Sequence, residues 1–511
     1  MHNNFQTNFK NYIKNRTIKY IENVSFDKIA ENWSGRGIVM PSGGIKYLTN
    51  AYLNIRYIRE ILKSDIPIEI WYLGSNEKID FLFKLINDLG NITFIDAYNH
   101  RESYPFNNLN GWELKIYAII YSKFEEIIYL DSDCFLFIKP ELLFDNKLYT
   151  EHKAIFSCDI DVHYQWSGRL IEPDTFIVPK LGIFSDGRWD YSKPNPLWEI
   201  LDIKEDNLPE FETGFIMVNK KIHSEPLFAT LFLNENSHIT YKYLYGDKDT
   251  FHLAWANSNH QCNMIRSVNR NDTFIEGKLD NEILFQHRVL HSKFDITVSW
   301  ENHPNRCDFY NKHIFEKYFK ELAVNYGNNK FNDLYIDANN FNTLMPGSTH
   351  EEALPCINYI NNFIKNNNIR SILDVGCGNA AIAEHLLLDN IDYHGIDVSQ
   401  LAINQAKEKL NTHKFNKIDA VDYHDYENYD LILIKDVFNH LPFKDINTIL
   451  ARSIKAKQFI MIITDIPHEF KDITRAEYRR IDITETHKLD IIDTLTYKSG
   501  NVNKKCILIK T

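Results

Sequence analysis

The sequence predicts an α/β fold built twice, as two series of alternating strands and helices with a polar junction between them. Three observations carry that prediction. From Gly37 onward, apolar runs of strand length (GIVM, IPIEIWYLG, NITFIDA, EEIIYL, KAIFSCD) alternate with helical patterns, the order that a parallel sheet with helices on its faces requires. Between about residues 301 and 351 the texture turns polar and Asn-rich, as in YGNNKFNDLYIDANNFNTLMPGSTHEE, which marks a junction. A second series follows: IRSILDVGCGN, a helix over AAIAEHLL, DYHGIDVS, a long helix, NKIDAVD, YDLILIKDV, QFIMIITDI and a closing KCILIKT.

A chain of 511 residues exceeds what one hydrophobic core supports, so two domains are expected, over residues 1–315 and 351–511, with 316–350 as linker. Hydrophobic residues at 44% and charged residues at 25% suit packed globular units. The formal net charge of −12 weighs against a broad phosphate-tracking surface, so nucleic acid is not an expected partner. The seven cysteines are scattered, with no CxxC pair, and no apolar run is long enough for a membrane span or signal peptide. That pattern predicts reduced thiols and a cytoplasmic place of work. No P-loop and no HExxH helix occurs.

In the first series a helix over about Leu114 to Phe124 leads into EEIIYL, and Asp131 and Asp133 stand on the end of that strand. Carboxylates are rarely buried without a partner, so a pair at the mouth of an apolar strand asks for a cation or a ligand. In an extended chain residues i and i+2 share a side, which lets both carboxylates converge. Two hard oxygens at that spacing suit Mn2+ or Mg2+, which can neutralise a departing diphosphate. The spacing alone is unspecific: Asp159/Asp161 and Asp247/Asp249 repeat it, and most such pairs are solvated turns.

Five segments in order give it context: GIVMPSGGIKYLTNAYLNIRYIRE, IPIEIWYLG, GWELKIYAIIYSKFEEIIYLDSDCF, FETGFIMVNK and YGDKDTFHLAWA. Together, over about residues 35 to 295, they resemble the fungal-type α-mannosyltransferases and, more distantly, the glycogenin-like retaining glycosyltransferases. The resemblance implies a GT-A-type nucleotide-sugar-binding domain that transfers a sugar, mannose by that likeness, with retention, from a nucleotide-diphosphate donor to a glycan, glycolipid or polysaccharide acceptor. It implies that Asp131 and Asp133 bind metal and donor and that Lys115 lies near the donor. Glu212, Gly214, Asp247 and Asp249 then line the sugar and acceptor pocket. In glycogenin-like enzymes the third metal ligand is a histidine followed six residues later by a lysine. His287 and Lys293 have that spacing, with His291 as the rival histidine. The leaving diphosphate can itself take the acceptor proton. Should a protein base act, Asp249 or Glu212 is the candidate, and either can instead only hydrogen-bond sugar hydroxyls.

In the second series SILDVGCGN sets Asp374, Gly376 and Gly378 on the turn leaving a buried strand, where glycine lets the backbone approach a ligand. Asp397, nineteen residues beyond Gly378, is placed for the hydroxyls of a ribose. A dinucleotide site has this pattern too. DVGCG with IKDVFNHLP resembles the class I S-adenosylmethionine-dependent methyltransferases, over about residues 350 to 511, which implies a Rossmann-like seven-stranded domain. By that likeness Gly376 and Gly378 approach the methionine part, Asp397 the ribose, Asp419 and Ala420 the adenine, and Asp436 closes the pocket near the methyl. His440, one helical turn on, can serve as base for a hydroxyl, or can equally be a packed ring. Ala380 replaces the third glycine of the fuller pattern at little expected cost. Cys377 and His385 have bland readings as packed residues.

A chain that moves both a sugar and a methyl group points to consecutive steps on one glycan, ending in an O-methylated sugar. The alternatives are a methyltransferase acting on protein or nucleic acid, and one domain kept only as a binding module.

Overall fold

The computed structural model describes residues 2–15, 26–158, 183–185, 188–190, 194–205, 210–270, 273–289, 292–298, 300, 309–340, 350–473 and 475–511. The chain divides into two compact units, Met1–Phe319 and Lys320–Thr511. The interval expected as linker, 316–350, holds most of the helix Lys312–Asn340.

The strands of the first unit are β1 (Arg36–Pro41), β2 (Ile68–Tyr72), β3 (Ile92–Asp96), β4 (Glu126–Leu130), β5 (Cys134–Leu136), β6 (Ala154–Cys158), β7 (Ile183–Ser185), β8 (Arg188–Asp190), β9 (Phe211–Asn219), β10 (Asn263–Ile265), β11 (Ser267–Arg270), β12 (Phe274–Leu279) and β13 (Glu282–Arg288). Seven form one mixed sheet in the order β10-β6-β9-β4-β1-β2-β3, with β9 antiparallel to both its neighbours. A four-stranded antiparallel sheet, β11-β12-β13-β5, stands beside it, and β7 pairs with β8 as a separate hairpin. The parallel core was legible as runs such as IEIWY and EIIYL, which are nearly or wholly buried. The antiparallel sheet was not, because β5 has three residues and β12 carries a glycine and a lysine.

The helix Glu113–Tyr121 is buried from Glu113 through Ile120. Its C-terminal carbonyls are met by the fully buried Lys220, whose Nζ donates to Ile119 O at 2.9 Å and Ser122 O at 2.8 Å. Burial holds the Lys220 amine well below its ordinary pKa, and what it supplies is hydrogen-bond donors to carbonyls the helix end leaves unpaired, so β9, which ends next to Lys220, helps set the helix that carries Lys115.

The second unit holds β14 (Ser371–Val375), β15 (Asp392–Asp397), β16 (Lys414–Lys417), β17 (Leu431–Lys435), β18 (Phe459–Ile466), β19 (Ile491–Ser499) and β20 (Val502–Lys510). They form one sheet in the order β16-β15-β14-β17-β18-β20-β19. The first five run parallel and wind outward from β14, the doubly wound arrangement that places ligands at strand C-termini. The strand β20 inserts antiparallel between β18 and β19. The Rossmann-like seven-stranded expectation is met. One element is corrected: the stretch AAIAEHLL forms only a short 3-10 turn, Ala383–His385, because Ala380 takes a left-handed φ of 61° and Leu386 is extended. Among the described residues no helix is long and apolar enough to cross a membrane.

Candidate functional site

The chain leaves the large sheet at Leu130 and joins the small one at Cys134, so Asp131 and Asp133 occupy the step between two sheets. They do not converge through strand pleat. Cys134 N–H donates to Asp131 O at 2.8 Å, which closes a turn. Register supplies the rest: β9 sets Phe215 opposite Leu130, and Asp131 N–H donates to Gly214 O at 2.9 Å. In the small sheet β13 sets His287 opposite Cys134.

The result is a cluster in which one ligand atom each from Asp131, Asp133 and His287 lies within 4.8 Å of the others. His287 Nε2 is 3.7 Å from an oxygen of each aspartate, too far for hydrogen bonds. Ligands around one octahedral ion with bonds of ~2.1 Å stand roughly 3–4 Å apart, so the spacing fits Mg2+ or Mn2+. His287 Nδ1 donates to Glu212 Oε1 at 2.9 Å, which turns Nε2 toward the aspartates. Gly214 N–H donates to the same Glu212 oxygen at 2.6 Å. A Cβ on Gly214 would lie 2.4 Å from His287 Nδ1, so the ETG segment needs glycine for space. His291, the rival histidine, lies outside the described residues, as do Asp159 and Asp161.

Two lysines complete the first site. Lys115, nearly buried, lies 3.4 Å from Asp131 and 3.0 Å from Asp247, and donates to Thr213 Oγ1 at 2.9 Å. Lys293 Nζ is 2.5 Å from Asp133. Burial would lower the His287 pKa, but Glu212 and then Asp133 push it up to about 10. Burial raises the Glu212 carboxyl, yet His287 and Lys115 bring it down to about 2. Asp247 is pushed above the ordinary carboxylate value by burial, against the pull of Lys115.

The structure thus gathers Lys115, Asp131, Asp133, Glu212, Gly214, Asp247, His287 and Lys293. Asp249 makes no hydrogen bond or ion pair with them among the described residues: it is wholly buried on the helix Lys248–Ala256 and pairs with Lys248 at 3.0 Å. Two participants escaped sequence reasoning, Thr213 and Tyr129, whose hydroxyl donates to Asp131 at 2.5 Å. A strand tyrosine carries no local sign of such a role.

In the second unit a cavity of about 800 Å3 opens over the C-terminal strand ends. Asp374, Gly376, Gly378, Asp397, Asp419, Ala420 and Asp436 all border it, as does His440. Gly376 and Gly378 hold φ of 73° and 56°, and the N–H groups of Gly376 and Cys377 bond Ile396 O at 2.8 and 3.1 Å. The glycine turn therefore bends onto the end of β15. Asp397 accepts from Gly378 N–H at 3.0 Å and from Ser399 N–H at 2.8 Å, so it braces the turn besides facing the cavity. Ala380 is wholly buried at positive φ. Its cost is larger than expected, about 1–2 kcal/mol for a left-handed alanine.

Burial pushes the Asp374 carboxyl up to about 6, against a 2.5 Å hydrogen bond from Tyr393. Burial, with Asp397 and Asp374 adding, holds the Cys377 thiol far above its ordinary pKa, which agrees with a packed rather than nucleophilic cysteine. Asp419 is engaged by Arg475, which also holds Asp445 at 2.6 Å. Asp436, at φ 60°, pairs with Lys435 and with Lys504 at 2.7 Å. His440 Nδ1 lies 3.0 Å from Glu477 O. A carbonyl only accepts, so the ring proton sits on Nδ1 and the Nε2 lone pair is left for other work. Arg475 and Lys504 had no motif to mark them, and Lys435 lies inside IKDV but was not singled out there.

Comparison with known proteins follows the same division. Residues 35–164 match the mannosyltransferase family Mannosyl_trans3, and residues 373–456 match a methyltransferase domain family. Alpha-1,2-mannosyltransferase MNN24 of Candida albicans is 29% identical over 256 residues, 45% of this chain and 34% of the relative. Alpha-1,2-mannosyltransferase MNN2 of Saccharomyces cerevisiae is 25% identical over 251 residues, 44% of this chain and 40% of the relative. The chain thus spans less than half the length of these curated relatives. Among solved structures, magnesium protoporphyrin IX methyltransferase from Synechocystis aligns at 14% identity and a TM-score of 0.27, covering 32% of this chain and 85% of that one. N-methyltransferase NodS from Bradyrhizobium japonicum aligns at 15% identity and a TM-score of 0.27, covering 32% and 96%. At those scores the structural likeness carries no functional argument.

Proposed function

We propose, from a chain that carries a mannosyltransferase-family domain over residues 35–164 and a methyltransferase domain over residues 373–456, that the protein is a bifunctional glycan-modifying enzyme. Its first unit transfers mannose from a nucleoside-diphosphate donor to a glycan acceptor in a metal-dependent, retaining reaction. Its second unit methylates a sugar hydroxyl with S-adenosylmethionine. The observation that carries the reading is the meeting of Asp131, Asp133 and His287 within 4.8 Å.

Mn2+ or Mg2+ held by those three residues would supply positive charge at a departing diphosphate. The chain's own residues do the rest. Lys115 and Lys293 place two ammonium groups beside the same aspartates, where they attract an anionic donor and hold it in register. Glu212 fixes the His287 ring and tautomer, which makes it a positioning carboxylate and leaves the acceptor proton to the leaving diphosphate. In the second unit, S-adenosylmethionine bound along the glycine turn would supply an electrophilic methyl carbon. Gly376, Gly378 and Asp397 shape its seat, and His440 Nε2 takes the proton of the attacking hydroxyl.

The test is incubation of the protein with Mn2+, a nucleoside-diphosphate mannose and manno-oligosaccharides, with and without S-adenosylmethionine, read by mass spectrometry. Metal-dependent lengthening followed by methyl uptake on sugar is expected. Donor turnover that survives chelation of the metal would refute the first half, and methyl uptake absent from every sugar product would refute the second.

A further inference from the structure

Beside the cation cluster of the first unit stands a pair of aromatic rings that the chemistry described so far does not use. Trp112 and Tyr245 are large apolar side chains, yet they are 49% and 50% exposed. Their ring centroids lie 5.4 Å apart at an interplanar angle of 57°, so the two form an open corner and not a flat stack. Tyr241 meets the indole in a T-shaped contact at 5.8 Å. A lone exposed apolar residue is ordinary, whereas adjoining exposed rings beside a polar cluster are the usual lining of a ligand groove.

The chain ties this corner to the aspartates from both sides. Trp112 is the N-cap of the helix Glu113–Tyr121 and stands three residues before Lys115, whose amine reaches Asp131 at 3.4 Å and Asp247 at 3.0 Å. Residues at i and i+3 are neighbours on a helix surface. Tyr245 stands two residues before Asp247. Between them Gly246 holds a φ of 86° and approaches the indole so closely that a Cβ there would lie 3.0 Å from Trp112 Cδ2. Glycine is thus required at 246 for the turn and for the approach of the ring. The segment that leads into Trp112, PFNNLNGW, presents neutral amides next to the indole in the chain: Phe106 and Leu109 are buried and pin the loop, while Asn107, Asn108 and Asn110 are exposed.

We infer that Trp112 and Tyr245 form an outer subsite for the glycan acceptor, in which a neutral pyranose ring beyond the one that receives the sugar stacks on the indole and packs against the phenol. A pyranose joins an apolar C–H face to a rim of hydroxyls. It therefore calls for an aromatic surface and, at the margin, groups that both donate and accept, as asparagine amides do. A nucleobase also stacks on aromatic rings, but the other aspartate has its own: Lys293, which pairs with Asp133, lies 5.2 Å from the ring of the exposed Tyr47. That leaves the corner beside Lys115 and Asp247 to the acceptor. The inference rests on the reading of the first unit as a mannosyltransferase that extends a glycan, and goes further by naming the contacts that hold the acceptor.

The test is calorimetric titration of the full chain, in the presence of Mn2+, with methyl α-mannoside, with mannotriose and, separately, with guanosine and uridine diphosphates. The native protein is expected to bind mannotriose better than methyl α-mannoside, because only the longer glycan reaches the outer rings. Trp112→Ala should weaken mannotriose about tenfold and abolish that preference, as loss of an aromatic anchor does. Tyr245→Ala should weaken it less, and Trp112→Phe, which keeps an aromatic face, should recover most of the loss. A merely structural role would instead lower the melting temperature and weaken every probe alike. Unchanged mannotriose affinity in both W112A and Y245A overturns the subsite, as does a W112A loss that is as large or larger for the diphosphates, which would give the rings to the donor base or to the fold. If the native protein binds neither diphosphate, the reading beneath falls and takes the subsite with it. If it binds a diphosphate but no mannotriose, the subsite alone falls.

Discussion

Glu212 Oε1 receives two hydrogen bonds, from His287 Nδ1 at 2.9 Å and from Gly214 N–H at 2.6 Å, and so ties the start of β9 to the end of β13. The pair links a strand of the large sheet to a strand of the small one at the place where a cation would sit. Glu212→Ala is expected to release the imidazole and to weaken Mn2+ binding about 10–100-fold, the usual cost of losing such a support. Glu212→Gln keeps an acceptor oxygen and should recover much of the loss. Titration of free Mn2+ by electron paramagnetic resonance checks both, and native affinity in E212A would refute the arrangement.

Gly214→Ala acts on the same contact by crowding. The new methyl would stand 2.4 Å from His287 Nδ1 and 2.8 Å from Glu212 Oε1. Overpacking of this kind costs about 1–3 kcal/mol. Urea unfolding should show that loss together with weakened Mn2+ binding, whereas a variant of native stability would mean the site has room that the structure denies.

The proposed methyl transfer makes His440 the group that takes the hydroxyl proton. Burial, its largest influence, holds its pKa below the ordinary 6.5, so the neutral, base-competent ring persists on the acid side of that value. The rate should stay level as pH falls through 6.5 and decline only below it. His440→Asn should lower kcat by about 10²–10⁴, the range for loss of a general base. A stopped methyl-transfer assay across pH 5 to 8 reads both. A decline centred at or above 6.5 would count against the assignment.

His223 gives the first unit an acid-sensitive element remote from the site. Burial pulls its pKa down to about 4 although Nε2 bonds His152 O at 2.7 Å. The folded state binds its proton later than the unfolded state, whose value is about 6.5. The stabilisation is therefore complete above pH 6.5 and is lost as pH falls from there toward 4, by up to about 3 kcal/mol in total. His223→Gln, which keeps an N–H donor that does not titrate, should flatten that limb in denaturant unfolding. An unchanged acid limb would place the sensitivity elsewhere.

Much of both sites could be read along the chain because local order creates it. DVGCG carries its own instruction: glycines at 376 and 378 permit the positive φ that bends the turn onto β15, and Asp397 follows at the end of the next strand. The DSD pair was legible for the same reason, as acids at the end of an apolar run. Asp249 shows the limit. It shares its motif with Asp247, yet two residues into the helix it is buried and paired with Lys248, while Asp247 at the N-cap meets Lys115.

The apolar periodicity and the glycine and aspartate positions, which act over one strand and one turn, determined the two α/β units and where each places its ligand edge. Folding alone decided which distant residues complete those edges. Strand register brings His287 to Asp133 and Gly214 to Asp131, and the antiparallel insertion of β20 carries Lys504 between Asp436 and Asp465. Register is a choice among pairings that burial and backbone hydrogen bonding settle over the whole sheet at once, so no short stretch of the chain contains it.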